Sequence, residues 1–186
     1  MKLTENIAVI DIGSNTIRLL VGKITNTKIN RIFTDRVVTR LGKDIPINKK
    51  LNDDSIRKSI ETIGKFKKIS EEFQCKCIIS LGTSALREAI NSKEFCEKIK
   101  ILFGLDVKVL SGEEEAYFTL EGIKTALPYT LADIFAVDIG GGSTEWIYEN
   151  KGKILNESID IGVLKAKDIE DVKKLIEEKI KKIFLK

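Results

Sequence analysis

Hydrophobic residues fall along this chain first in short runs and then at helical spacing. Ile7 to Ile12 is a compact apolar run that closes on Asp11-Ile12-Gly13. Ile17 to Ile24 is a second run, and Ile29 to Thr39 is a third with polar residues interleaved; Asn26-Thr27-Lys28 reads as the hairpin turn between them. Short runs separated by turn residues predict an antiparallel meander. Behind Asn52, which fits an N-cap, Ile56, Ile60, Ile63, Phe66, Ile69 and Phe73 recur every three or four residues and predict one apolar face of a long helix. Cys77 to Leu81 predicts a buried strand that ends in the turn Gly82-Thr83-Ser84. Ser84 is expected to cap a short helix through Ala89, and Ser92 one that reaches Phe103 and stops at Gly104. Val107 to Leu110 predicts a strand, and Glu113 to Thr125 a helix ended by Leu127-Pro128. Phe135 to Ile139, Trp146 to Tyr148 and Ile154 to Ile161 predict further strands, the last two around Asn150-Lys151-Gly152. Ile169, Val172, Ile176, Ile180 and Ile183 mark an amphipathic terminal helix. A meander followed by alternating strands and helices is the pattern of an α/β domain.

Two strand ends echo each other. Asp11-Ile12-Gly13-Ser14-Asn15-Thr16 and Asp138-Ile139-Gly140-Gly141-Gly142-Ser143 each follow an apolar strand and precede another. Glycine leaves a turn without protruding side chains, so several backbone N–H groups can face an oxyanion. Ser14, Asn15, Thr16, Ser143 and Thr144 add side-chain donors. Asp11 and Asp138 sit at strand ends, where a carboxylate can hold a magnesium ion or a water. Two such corners facing each other would clasp a phosphate chain from both sides. Neither junction leads into a helix or has G-x-G-x-x-G spacing, which disfavours a dinucleotide fold.

Ser111-Gly112-Glu113-Glu114-Glu115-Ala116 opens a predicted helix. Ser111 with Glu114 reads as a capping box, and acidic residues in a first turn suit the helix dipole. A glutamate pointing from this turn into a cleft could also polarise a water. Glu145, just past the second corner, could share that work or hold a metal.

The composition narrows the chemistry. The 186 residues contain no histidine, which removes every mechanism built on a Ser-His or Cys-His pair. Three cysteines, Cys75, Cys77 and Cys96, provide neither a disulfide framework nor a four-thiolate zinc site. The net charge of +4 permits an anionic substrate but is not the concentrated basic face of a nucleic-acid binder. No apolar run approaches the roughly 20 residues that span a bilayer, and Asp11 interrupts the short run near the N-terminus. No membrane association is expected, and a cytoplasmic location is, consistent with free thiols.

With these residues in view, the chain resembles the exopolyphosphatase/guanosine-pentaphosphate phosphohydrolase (Ppx/GppA) family of the actin-like ATPase superfamily. The resemblance is carried by AVIDIGSNTIRLLV at Ala8 to Val21, SLGTSALREA at Ser80 to Ala89, LSGEEEA at Leu110 to Ala116 and AVDIGGGSTE at Ala136 to Glu145. It implies an actin-like, ribonuclease H-like mixed sheet with a complete first lobe (1–126) and a shortened second lobe (133–186), since 49 residues remain from Asp138 onward. It implies that Glu115 is the catalytic base. Gly13, Ser14 and Asn15 would form the first phosphate loop, and Gly140, Gly141, Gly142 and Ser143 the second. Arg18 and Arg87 would contact substrate phosphate. Asp11, Asp138 and Glu145 would hold a divalent metal, magnesium or another, with Asp138 and Glu145 also helping to position water.

The expected activity is therefore release of terminal phosphate from inorganic polyphosphate or guanosine pentaphosphate. The alternative is a module that keeps phosphate recognition without efficient catalysis. A kinase or ATPase of the same superfamily is a weaker reading, because the S-G-E-E-E-A stretch belongs to the hydrolase branch. Either a homodimer covers the apolar area that a short second lobe leaves open, or the lobe is unusually small.

Overall fold

The computed structural model describes residues 5–25, 28–127, 133–150 and 153–164, together with positions 173, 177, 178 and 181. The expected turn residues Asn26 and Thr27, and the apolar stripe from Ile169 to Ile183, lie outside the described residues.

Strands β1 (Asn6–Ile12), β2 (Thr16–Thr25) and β3 (Lys28–Val38) form the expected antiparallel meander. Beyond β1 lie β4 (Cys77–Gly82) and β5 (Val107–Val109), both parallel, so the first sheet runs β3-β2-β1-β4-β5. One face of this sheet is apolar at every second position: Ala8, Ile10 and Ile12 on β1, and Ile17, Leu19 and Val21 on β2, are all buried. That two-residue period is the strand signature of a half-covered sheet. The cover is the long helix α2 (Asp53–Glu72), which buries Ile63 and Phe66, backed by α4 (Ser92–Phe103) with Phe95 and Ile99. The short helix α1 (Ile45–Asn48) precedes α2 in the chain, and α3 (Ser84–Glu88) lies between α2 and α4.

The ends of α2 and α4 follow from single residues. Asn52 accepts from the Ser55 N–H at 2.8 Å and so caps α2, while its amide donates to Asp44 at 2.9 Å. Gly104 ends α4 in the left-handed region, at φ 67°. Two expected caps are replaced. Ser84 and Ser92 are the first residues of α3 and α4, and Thr83 and Asn91 hold the cap positions without capping bonds. The Ser84 hydroxyl instead donates to Glu88 at 2.8 Å. The Asn91 side chain is taken by the Leu51 backbone, accepting from its N–H at 2.9 Å and donating to its carbonyl at 3.0 Å.

The second sheet is the antiparallel meander β6 (Asp133–Ile139), β7 (Thr144–Asn150) and β8 (Lys153–Ile159). Helix α5 (Gly112–Ala126) starts at the expected capping box between Ser111 and Glu114. The sequence places it with the first lobe, but its apolar residues Ala116, Leu120 and Ile123 pack on Ile134, Ala136 and Ile147 of the second sheet. Their spacing of three and four residues defines the stripe; which sheet receives it is decided by tertiary packing. No described helix is long and apolar enough to cross a membrane.

The register that matters for the site is that of β1 against β4, in which Ile12 lies opposite Gly82. Because the strands are parallel, the β1–β2 corner and the β4–α3 turn leave the sheet at the same edge. Asn52→Ala is expected to destabilise the fold by about 1 kcal/mol, the usual value of a lost N-cap, read as a lower midpoint in urea unfolding; an unchanged midpoint would show that the cap contributes nothing here.

Candidate active site

The two corners share one local geometry. In the first, the Gly13 N–H donates to the Thr16 carbonyl at 3.1 Å; in the second, the Gly140 N–H donates to the Ser143 carbonyl at 2.9 Å. The first is pinned from outside by Gly42, whose N–H donates to the Ser14 carbonyl at 2.8 Å, and by Thr39 and Arg40, which both donate to the Asn15 carbonyl. The second is pinned by the chain that follows β8: Val163 N–H donates to the Gly140 carbonyl at 3.0 Å, and Leu164 N–H to the Gly141 carbonyl at 2.8 Å.

The corners touch. A Cβ on Gly141 would lie 2.9 Å from the Asn15 Cβ, and one on Gly142 would lie 2.7 Å from the Ser14 hydroxyl and closer still to that of Ser84. At Gly141 the neighbours are a Cβ and a backbone nitrogen, which leave no room for a methyl group, so glycine is required there; at Gly142 the two hydroxyls would have to turn aside. Behind it, a Cβ on Gly162 would meet the Gly141 and Gly142 backbone at 2.5 Å.

Between the corners lies a polar cavity of about 210 Å³. Its walls include Gly13, Ser14, Asn15, Thr16 and Arg18 from one side and Asp138 and Gly140 to Ser143 from the other, with Asp11 and Glu115 also facing it. The structure thus brings together most of the residues singled out from the sequence. It also adds Thr83 and Ser84, a third wall that the sequence reading placed in a turn, a helix cap and the SLGTSALREA stretch without giving them a role at the site. The signal for them was present in the apolar run of β4 ending in Gly-Thr-Ser, but using it requires knowing that β4 lies parallel to β1. The Ala85 N–H donates to the Ser14 hydroxyl at 3.1 Å and ties this wall to the first corner.

Two residues expected at the site, Arg87 at substrate phosphate and Glu145 at water or metal, do not line the cavity. Arg87 is not in the cavity wall. Its guanidinium donates to Glu115 Oε2 at 2.6 Å and to the Leu110 carbonyl at 3.0 Å, and its Nη2 is buried with no partner among the described residues. Glu145 is 1% exposed and turned into the second sheet, where it accepts from the Ser158 hydroxyl at 2.9 Å.

The carboxylates are crowded and poorly solvated. Burial pushes the Asp11 carboxyl above its ordinary value; Arg18 opposes this and Asp138 adds to it. Burial likewise raises Glu115, against the hydrogen bond and charge of Arg87 and with the help of Asp11 and Asp138. Glu145 is raised by burial first, with Glu115 and Asp138 adding and hydrogen bonds from Ser143 and Ser158 opposing. Such mutual effects require these groups to lie near one another.

Among the described residues no three His, Cys, Asp or Glu side chains converge as a metal cluster. The donor set does suit a hard cation of the magnesium type, which is held by one or two carboxylates and completes its shell with water and phosphate oxygens. Asp11 and Asp138, facing one cavity, fit that requirement; Glu145, the cross-strand neighbour of Asp138, lies behind the cavity wall.

Comparison with known proteins gives the family and the fold. Residues 20–183 match the Ppx/GppA phosphatase family, and the chain belongs to that family. A bifunctional 3-dehydroquinate synthase/phosphatase of Fusobacterium nucleatum is 32% identical over 83% of this chain and 25% of its own length. Exopolyphosphatase 1 of Mycobacterium leprae is 32% identical over 75% of this chain and 41% of its own length. Among solved structures, an exopolyphosphatase from Cytophaga hutchinsonii superposes with a TM-score of 0.80 at 33% identity, covering 85% of this chain and 51% of that one. The Aquifex aeolicus Ppx/GppA family member superposes with a TM-score of 0.80 at 29% identity, covering 96% of this chain and 62% of that one. The fold is therefore the actin-like fold of this family, and the chain spans less than half the length of these two curated relatives.

Gly162→Ala is expected to destabilise by about 1–3 kcal/mol, the range for a methyl group forced into packed structure, measured by urea unfolding; a variant as stable as the parent would show that the corner has room. Glu145 gives a pH prediction. Its pKa is higher folded than unfolded, so its effect favours folding below the unfolded value near 4.5 and is lost as pH rises through the folded value. Glu145→Gln should therefore raise the thermal midpoint at pH 7, and the gain should shrink as pH is lowered towards 4.

Proposed function

We propose that this chain carries the catalytic cleft of a hydrolase that releases terminal phosphate from inorganic polyphosphate or guanosine pentaphosphate. The observation that carries the reading is the facing of two glycine corners across one cavity that also holds Asp11, Arg18, Glu115 and Asp138. The names of the exopolyphosphatase relatives favour polyphosphate of the two substrates.

In this reading the anion lies between the corners. Backbone N–H groups and the hydroxyls of Ser14 and Thr16 bind its oxygens, and Arg18 neutralises charge. A magnesium ion or another divalent cation held by Asp11 and Asp138 would neutralise further phosphate oxygens. Glu115 orients the attacking water. Phosphoryl transfer depends mainly on positioning and charge neutralisation, so a carboxylate is a sufficient base. Its raised pKa makes it a stronger base than an exposed glutamate, and Arg87 fixes its direction. The outer face of the second sheet, where Phe135, Val137, Ile139 and Leu155 are exposed, is the surface a second copy of the chain would cover.

One observation favours the second reading, a phosphate-binding module without efficient turnover. Glu115 is already engaged by Arg87 in an ion pair, both side chains being less than one-fifth exposed. A metal-dependent phosphate-release assay on both substrates, run beside equilibrium binding, separates the two. Glu115→Gln should lower release by about 10²–10⁴-fold, the range for a lost general base, while binding persists. Near-normal release in this variant would refute the base assignment, and binding without release by the unaltered chain would establish the module.

A further inference from the structure

Asp11, Arg18 and Arg36 lie opposite one another in a row across β1, β2 and β3. Paired residues in a sheet project to the same side, so Arg36 continues outward, one strand further, the face on which Arg18 meets the cavity. A second arginine joins this face through a defect in the ladder. Arg18 pairs with Arg36 and Gly22 with Arg31, four positions apart on β2 but five on β3, and the register shifts at Val21/Gly22. Without that extra residue, Arg31 would project to the opposite side of β3. The irregularity re-aims it onto the same face as Arg18 and Arg36, as bulges do.

All three arginines are exposed, and among the described residues none forms an ion pair. The neighbouring Asp35 pairs with Leu19 and so belongs to the buried, α2-covered face, where Lys65 holds it at 2.8 Å. Two arginines directly opposite each other on one face repel. An anion laid along them relieves that repulsion.

We propose that Arg36 and Arg31 form a distal subsite for the tail of a linear polyphosphate whose terminal phosphates occupy the cavity. This rests on the phosphoanhydride reading of the cavity. Arg18 is the junction: it lines the cavity and lies beside Arg36. A strand rises about 3.3 Å per residue and the bulge makes Arg36 to Arg31 cover four positions of β2, so the two span roughly 13 Å, a length that only an extended anion can follow. The subsite thus distinguishes chain length, whereas the corners recognise the phosphate group itself.

The test is equilibrium binding of long-chain polyphosphate and of tripolyphosphate to the full chain, with phosphate release followed in parallel. The variants are Arg36→Gln/Arg31→Gln, the corresponding double lysine variant, and Lys58→Gln on α2 as a control for a positive charge removed from another element. The glutamine pair should weaken long-chain binding about tenfold, a loss of about 1.4 kcal/mol, and tripolyphosphate binding less than about twofold. The lysine pair should retain most of the affinity, and Lys58→Gln should leave both anions unaffected. The thermal midpoint of the glutamine pair should not fall, because repulsion is removed. Equal losses for both anions, or no loss for either, would overturn the subsite and leave the cavity reading standing. Failure of the unaltered chain to bind either anion would overturn both.

Discussion

The structure depends on a steric constraint: two backbone corners from different sheets approach so closely that Gly141 has no room for a side chain and Gly142 has room only if the facing serine hydroxyls move. A methyl group at Gly141 would press on Asn15, and one at Gly142 on the hydroxyls of Ser14 and Ser84. The approach is held from behind on both sides, by Thr39, Arg40 and Gly42 on the first corner and by Gly162 to Leu164 on the second. Contact at this point gives the chain one cavity lined by both corners.

The second consequence is electrostatic. Asp11, Glu115 and Glu145 all have raised pKa values, because burial deprives them of water and because they and Asp138 oppose one another. Arg18 and Arg87 compensate from opposite sides, one in the cavity wall and one behind Glu115. A cluster of this kind is costly to keep ionised without further positive charge. That cost is the physical case for the cation proposed at Asp11 and Asp138.

Much of this arrangement is legible along the chain, and what is not has a common cause. The corners are visible because an apolar strand ending in Asp-Ile-Gly occurs twice, once with three glycines. The cap at Asn52 and the capping box at Ser111 depend on residues three apart and are local. Thr83 and Ser84 enter the site only because β4 lies parallel to β1, some 70 positions earlier in the sequence. The turning of Arg87 onto Glu115, and of Glu145 into the sheet towards Ser158, are likewise decisions of tertiary packing between segments far apart in sequence. The apolar stripe of α5 is plain from its spacing, but not that the second sheet, rather than the first, receives it. Periodicity defines faces and ends; partners are chosen by the topology.

The central claim, that both corners bind one anion together, is tested most directly by following the backbone amides of Gly13, Ser14, Gly141 and Gly142 by NMR during titration with pyrophosphate and magnesium. The account predicts that resonances from both corners shift together and report one dissociation constant. Shifts confined to one corner, or two unrelated constants, would contradict it.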